Sequence, residues 1–163
     1  MTKKELNKIV TTELRKFGID KATLDVAFEY SYEKNRVHYC IKKSFDDDYF
    51  DAFLKDRFDF DDFAPFTLSL LHEVGHYKNN DDIIDDVYAF CLGEKYKIQS
   101  DIMDTEDDAR LKNLYYRYFS LPDEIMATAW AINYAKSHSK EVKDLEKKFT
   151  NAIKKYIKDN GFN

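Results

Sequence analysis

The spacing of apolar positions changes period several times along the chain, and each change marks an expected element. Leu6, Ile9, Val10, Leu14 and Phe17 recur at helical spacing, which predicts a helix over 2–17. Thr2 precedes Glu5 at capping-box spacing, and Gly18 supplies a stop. The period then drops to two. Leu24, Val26, Phe28, Tyr30 and Tyr32 alternate with other residues, and residues 36–42 alternate again. With Glu33-Lys34-Asn35 as the turn, this predicts an antiparallel hairpin. Residues 44–63 are dense in Asp and aromatic side chains. Phe50, Phe53, Leu54 and Phe58 suit a short helix, whereas Phe58-Asp59-Phe60 also reads as a strand end.

Helical spacing returns over 65–78, with Pro65 well placed in a first turn. Asn79-Asn80-Asp81-Asp82 reads as a break and a cap, after which Ile83, Ile84, Val87, Phe90, Cys91 and Leu92 carry a helix to about Ile98. Further helices are expected over 104–119, 122–138 and 140–159, with a capping-box pattern at Ser120-Leu121-Pro122-Asp123. The expected class is α+β: a mostly helical domain with a small antiparallel hairpin ahead of the 65–78 helix. No repeat or linker interrupts the chain, so 1–163 reads as one domain.

Composition narrows the function classes. The chain has 163 residues, enough to bury a core without disulfide or metal staples. Only 4 Gly and 2 Pro occur, which agrees with few loops and many helices. The net charge is −5, with acids clustered at 46–48, 81–86 and 101–108, and no basic stripe suits direct nucleic-acid binding. Cys40 and Cys91 lack C-x-x-C spacing and read as buried, reduced thiols. No segment approaches the roughly 18 apolar residues of a membrane span, and the N-terminus lacks the apolar stretch of a signal peptide. A cytoplasmic protein is expected.

Candidate chemistry concentrates in His72-Glu73-Val74-Gly75-His76, an H-E-x-x-H sequence. On a helix, two His four residues apart share one face, so both imidazoles reach one metal ion at roughly 2.0–2.1 Å. Glu73 between them is the candidate general base. Gly75 costs roughly 1 kcal/mol within a helix relative to Ala, and its retention suggests close approach of another backbone. A catalytic zinc site takes three protein ligands, and the downstream candidates for the third are His138, Asp123 and Glu124. Glu124 is the best placed, because it opens a face of small residues (Ala127, Thr128, Ala131 and Ala135) that suits close packing on the motif helix. Oxyanion donors remain open among His138, Tyr77 and Tyr134. His38 reads as a strand surface residue, and Met126 and Trp130 as core.

The segment Phe66-Thr67-Leu68-Ser69-Leu70-Leu71-His72-Glu73-Val74-Gly75-His76 resembles the F-T-x-x-H-E-x-G-H signature of the ImmA/IrrE zinc metallopeptidases, which are related to gluzincins. Glu124-Ile125-Met126-Ala127-Thr128-Ala129-Trp130-Ala131 resembles their second motif, E-x-E-A-N-x-F-A. Met126 stands for that motif's second acid and Thr128 for its Asn, and the stretch between the motifs is longer than the family's by a helix. The resemblance implies a zincin-like fold with Zn²⁺ held by His72, His76 and Glu124. Thr128 would steady a ligand histidine. It also implies cleavage of a protein or peptide partner, by analogy a DNA-binding repressor of phage, mobile-element or stress-response type. The upstream hairpin suits a strand that pairs with an extended substrate. The competing expectation is a zincin-fold binding protein, an antirepressor or inhibitor that grips its partner without cutting it.

Overall fold

The structure is a computed structural model describing residues 1–41 and 45–161, with side chains described for 1–41 and 48–161. Lys42 of the expected strand and most of the 46–48 acid cluster lie outside the described side chains. In chain order the elements are α1 (Lys3–Leu14), β1 (Lys21–Leu24), β2 (Glu29–Ser31), β3 (Arg36–Tyr39), α2 (Phe45–Phe58), α3 (Pro65–Asn79), α4 (Asp85–Met103), α5 (Asp108–Phe119), α6 (Pro122–Ser137) and α7 (Ser139–Asn160). The mostly helical α+β class expected from the pattern is the observed one.

Helix α1 starts as its sequence predicts. Thr2 accepts from the Glu5 amide while the Glu5 carboxylate takes the Thr2 amide, closing the capping box. A single 3₁₀ turn then ends at Gly18, whose φ of 101° only glycine adopts without strain.

The sheet departs from the expected hairpin in one respect. Strands β2 and β3 pair antiparallel, with Tyr30 opposite Val37, as expected. The long first strand is broken, however. Only its first residue, Leu24, falls in β1, which begins upstream at Lys21, runs parallel to β3 and places Ala22 beside Val37, so the order is β1-β3-β2. The break lies at Asp25, whose side chain takes the Val26 amide while its own amide bonds the Tyr39 carbonyl. Val26 is thereby turned out to solvent although the alternation placed it inside. The two sheet edges then differ. Thr11 and Asn7 of α1 accept the Ala22 and Leu24 amides, which covers the β1 edge. Strand β2 forms the other edge.

Helix α3 is the centre of the molecule. Every residue from Thr67 to His76 is buried, the polar Thr67, Ser69, His72, Glu73 and His76 among them. Leu70 and Val74 face a core built with α1, the sheet and α7. Leu68 and Leu71 face a second core with Phe50 and Phe53 of α2 and Ala131 and Ile132 of α6. A smaller third cluster joins Cys91 and Ile98 of α4 to Leu114 and Leu121.

Three local expectations are corrected. Phe58-Asp59-Phe60 is a helix end, because Asp59 takes a left-handed φ of 49° and turns Phe60 into the core. Residues Asn80–Asp82 form a 3₁₀ turn rather than a cap, and α4 begins after Ile84 with no side-chain cap. Helix α6 begins after Leu121 with Pro122 in its first turn and no capping box, since Pro pre-sets the helical φ and has no amide to satisfy. Cys40 and Cys91 are buried and form no disulfide. No helix among the described residues is long and apolar enough to cross a membrane.

Candidate metal centre

Helices α3 and α6 make the most extensive contact between any two elements. Their small residues set its closeness. A Cβ on Gly75 would stand 2.4 Å from the Ala127 carbonyl oxygen and 2.8 Å from its Cα, so only glycine fits there. This is the backbone approach that the retained glycine suggested. Ala127, Thr128, Ala131 and Ala135 are all buried along the same face of α6.

That approach carries Glu124, in the first turn of α6, onto the two motif histidines. The His72 and His76 Nε2 atoms lie 3.1 Å apart. Glu124 Oε2 is 2.9 Å from His72 Nε2, and Oε1 is 3.4 Å from His76 Nε2. Two donors at about 2.1 Å from one ion, at a tetrahedral angle, are separated by ~3.4 Å, so these spacings fit a shared cation. Among the described residues, His72, His76 and Glu124 are the group able to hold a metal ion, and all three are buried. The donor chemistry agrees. Two facing ring nitrogens and a carboxylate are acceptors once neutral and ionised, and a cation satisfies all three together.

Neighbouring groups fix the ligands. His72 Nδ1 lies 3.0 Å from Thr128 Oγ1, so a His72 using Nε2 as ligand donates its Nδ1 proton to the hydroxyl. The Phe50 ring packs edge-on against His72 at 5.2 Å. Burial works against the Glu124 charge, but His76 and His72 hold its carboxyl well below the usual range.

Glu73 points from the same helix into the same cleft. Burial, reinforced by the neighbouring Glu124 carboxylate, pushes its carboxyl up to about 7. The Tyr30 backbone on β2 works weakly against this rise, and both residues line the same cleft.

The cleft has a volume of ≈ 760 Å³. One wall is the β2 segment, from Ala27 to Glu33; the opposite wall is α4, through Tyr88, Leu92, Tyr96 and Met103. Those α4 side chains are exposed apolar groups on successive turns of one face. Tyr32 and Tyr88 meet edge to face across the cleft, with ring centroids 5.8 Å apart.

Several expected site residues fall elsewhere. His138 lies at the far end of α6, about 14 residues and ~21 Å from Glu124, stacked on Tyr134 and bonded to its carbonyl. It therefore serves neither as third ligand nor as oxyanion donor, and Tyr134, ~15 Å along the helix from Glu124, is also outside the cleft lining. Tyr77 packs beneath Gly18 and against Tyr30, outside the cleft lining. Asp123 is buried beside the site but turns its carboxylate to Lys95 rather than to the histidines. His38 is part-exposed on β3, 2.8 Å from Asp25. Trp130 packs between the two main cores, as expected.

Two residues were missed. Lys95 of α4 reaches both Asp123 and Glu124 at the edge of the site. Tyr118 of α5 lines the cleft beside it, and burial pushes its phenol up, so it keeps its proton. A sequence signal existed for the first: Lys95 interrupts the core-facing series Val87, Cys91, Ile98 and Ile102. No protein-family model, curated protein or solved structure matches the chain.

Proposed function

We propose that this protein is a zinc-dependent metallopeptidase that hydrolyses a peptide bond in a protein partner. The observation that carries the reading is the convergence of His72, His76 and Glu124 on one point, with Glu73 beside them in the cleft that β2 also lines. Two imidazoles and one carboxylate form a catalytic zinc ligand set that leaves a position open. When bound, the ion supplies Lewis acidity, polarising a carbonyl and acidifying water towards a pKa of about 7.

The chain's own residues supply the remainder. Glu73 accepts the proton of the attacking water and delivers it to the leaving amine. Thr128 holds His72 in the tautomer that presents Nε2. Strand β2 offers an edge to an extended segment of substrate, and the apolar face of α4 receives its side chains. Tyr118 supplies a neutral hydroxyl donor to the cleft. The ImmA/IrrE resemblance of 66–76 and 124–131 supports the same ligand set and, by analogy, a DNA-binding repressor as substrate. Buried thiols at Cys40 and Cys91 suit action in a reducing cytoplasm.

A non-cutting binding protein is the competing function, and it has no use for a carboxyl buried beside the two histidines at position 73. The test is incubation of the zinc-loaded protein with a panel of repressor domains and unstructured proteins, with fragments read by mass spectrometry. Cleavage that falls by about 10²–10⁴-fold in Glu73→Gln while zinc content holds is the expected result. Cleavage undiminished in Glu73→Gln, or tight partner binding without any cleavage, contradicts the enzyme reading.

A further inference from the structure

The two oxygens of Glu124 have different partners. Oε2 lies 2.9 Å from His72 Nε2. Oε1 lies 2.5 Å from the Lys95 ammonium, which also contacts Asp123 Oδ2, and a longer 3.4 Å from His76 Nε2. The Lys95 side chain is 17 % exposed and comes from α4, a helix that otherwise touches the site only through the cleft wall. A buried ammonium at a core-facing position is costly unless carboxylates hold it, and an apolar side chain would pack there without that cost.

We infer that Lys95 is a positioning residue that takes Oε1 out of the donor set, so that Glu124 offers a metal one oxygen and a coordination position stays open for substrate chemistry. The inference rests on the metal-site reading above. Asp123 is the second anchor of the ammonium. Two of the three ammonium protons are directed at carboxylates.

The sign of the expected effect separates this role from a structural one. The ammonium withdraws charge from Glu124 and repels a nearby dication. Removing it frees Oε1 and relieves the repulsion. Lys95→Met should therefore bind metal at least as tightly as the native chain while changing how the metal is coordinated. A lysine that merely ties α4 to α6 predicts the reverse: an unchanged site, or a loosened one with weaker binding.

Cobalt(II) chloride is the probe, since four-coordinate Co²⁺ absorbs visible light several-fold more strongly than five-coordinate Co²⁺. The native protein is expected to show the intense band. Lys95→Met should lose it several-fold, with Co²⁺ affinity, read by competition with a chromophoric chelator, equal or higher. The double variant Lys95→Met, Asp123→Asn removes the carboxylate left unpaired, guards against misfolding, and should show the same loss. A native-type band in both variants, or a band of native shape with weakened affinity, overturns the role of Lys95 alone. Failure of the native protein to take up Co²⁺ overturns the metal reading and this inference with it.

Discussion

At position 75 a hydrogen is all the space allows, and the consequence reaches Glu124. The Gly75 Cα faces the Ala127 backbone closely enough that a methyl group would overlap it. Gly75→Ala must push α6 away from α3, at a cost of roughly 1–3 kcal/mol. Because Glu124 sits one turn before Ala127, the same displacement withdraws the third ligand. The expected outcome is a folded protein of lowered melting temperature and sharply reduced zinc content; native zinc content in a folded Gly75→Ala would separate the helix packing from the site. Glu73 carries a second expectation at this scale. Its carboxyl is held at about 7 in the native state against an ordinary 4.5, so the metal-free native protein retains a proton that the unfolded chain has lost. Glu73 therefore destabilises the metal-free fold increasingly as pH rises from 4.5 towards 7. Thermal unfolding of metal-free Glu73→Gln should show a stability gain over the native chain that is small at the acid end of this window and grows with pH. A gain independent of pH would mean that the carboxyl titrates normally.

Among the elements, α3 and α4 differ in how they are held. Helix α3 is covered on every side, whereas α4 turns one apolar face to the third cluster and leaves Tyr88, Leu92, Tyr96 and Met103 exposed along the cleft. Replacing Leu92 and Tyr96 by Ser should change stability by no more than about 0.5 kcal/mol each, since neither is deeply buried. Substrate affinity should fall several-fold with turnover at saturation little changed, as read by steady-state kinetics. Unchanged KM would place the substrate elsewhere. Much of this arrangement was legible in sequence for identifiable reasons. Helical period, the Thr2–Glu5 box and Gly18 are local signals with local causes. The small face of α6 announced its close packing, and Gly75 announced the partner. Strand β1 was not legible as a separate strand, because parallel pairing with β3 is set by a long-range contact that no alternation encodes. The break at Asp25 arises from a side-chain bond to the next amide, which competes with the ladder. Caps were over-read at Asn79–Asp82 and Ser120–Asp123, where Ile84 and Leu121 precede helices that begin without side-chain caps.

Over the whole molecule, the site lies where separate packing units meet. The core of α1, the sheet and α7 fixes one face of α3, the α2 and α6 core fixes another, and the small α4–α5 cluster brings Lys95 to Glu124. His72, Glu73 and His76 could be read from five consecutive residues. Among the candidates His138, Asp123 and Glu124, the fold brings Glu124 onto the histidines: the last turn of α6 is ~21 Å away, and Asp123, although in the first turn, faces Lys95. Lys95 was hidden because its partners lie 28 and 29 positions later in the chain, on a different helix. The most direct measurement is a crystal structure of the zinc-loaded protein with anomalous data collected at the zinc edge. The account predicts one dominant peak per chain, within bonding distance of His72 Nε2, His76 Nε2 and a single Glu124 oxygen. A peak bound by any other set of side chains, or none at this point at full zinc occupancy elsewhere, would contradict it.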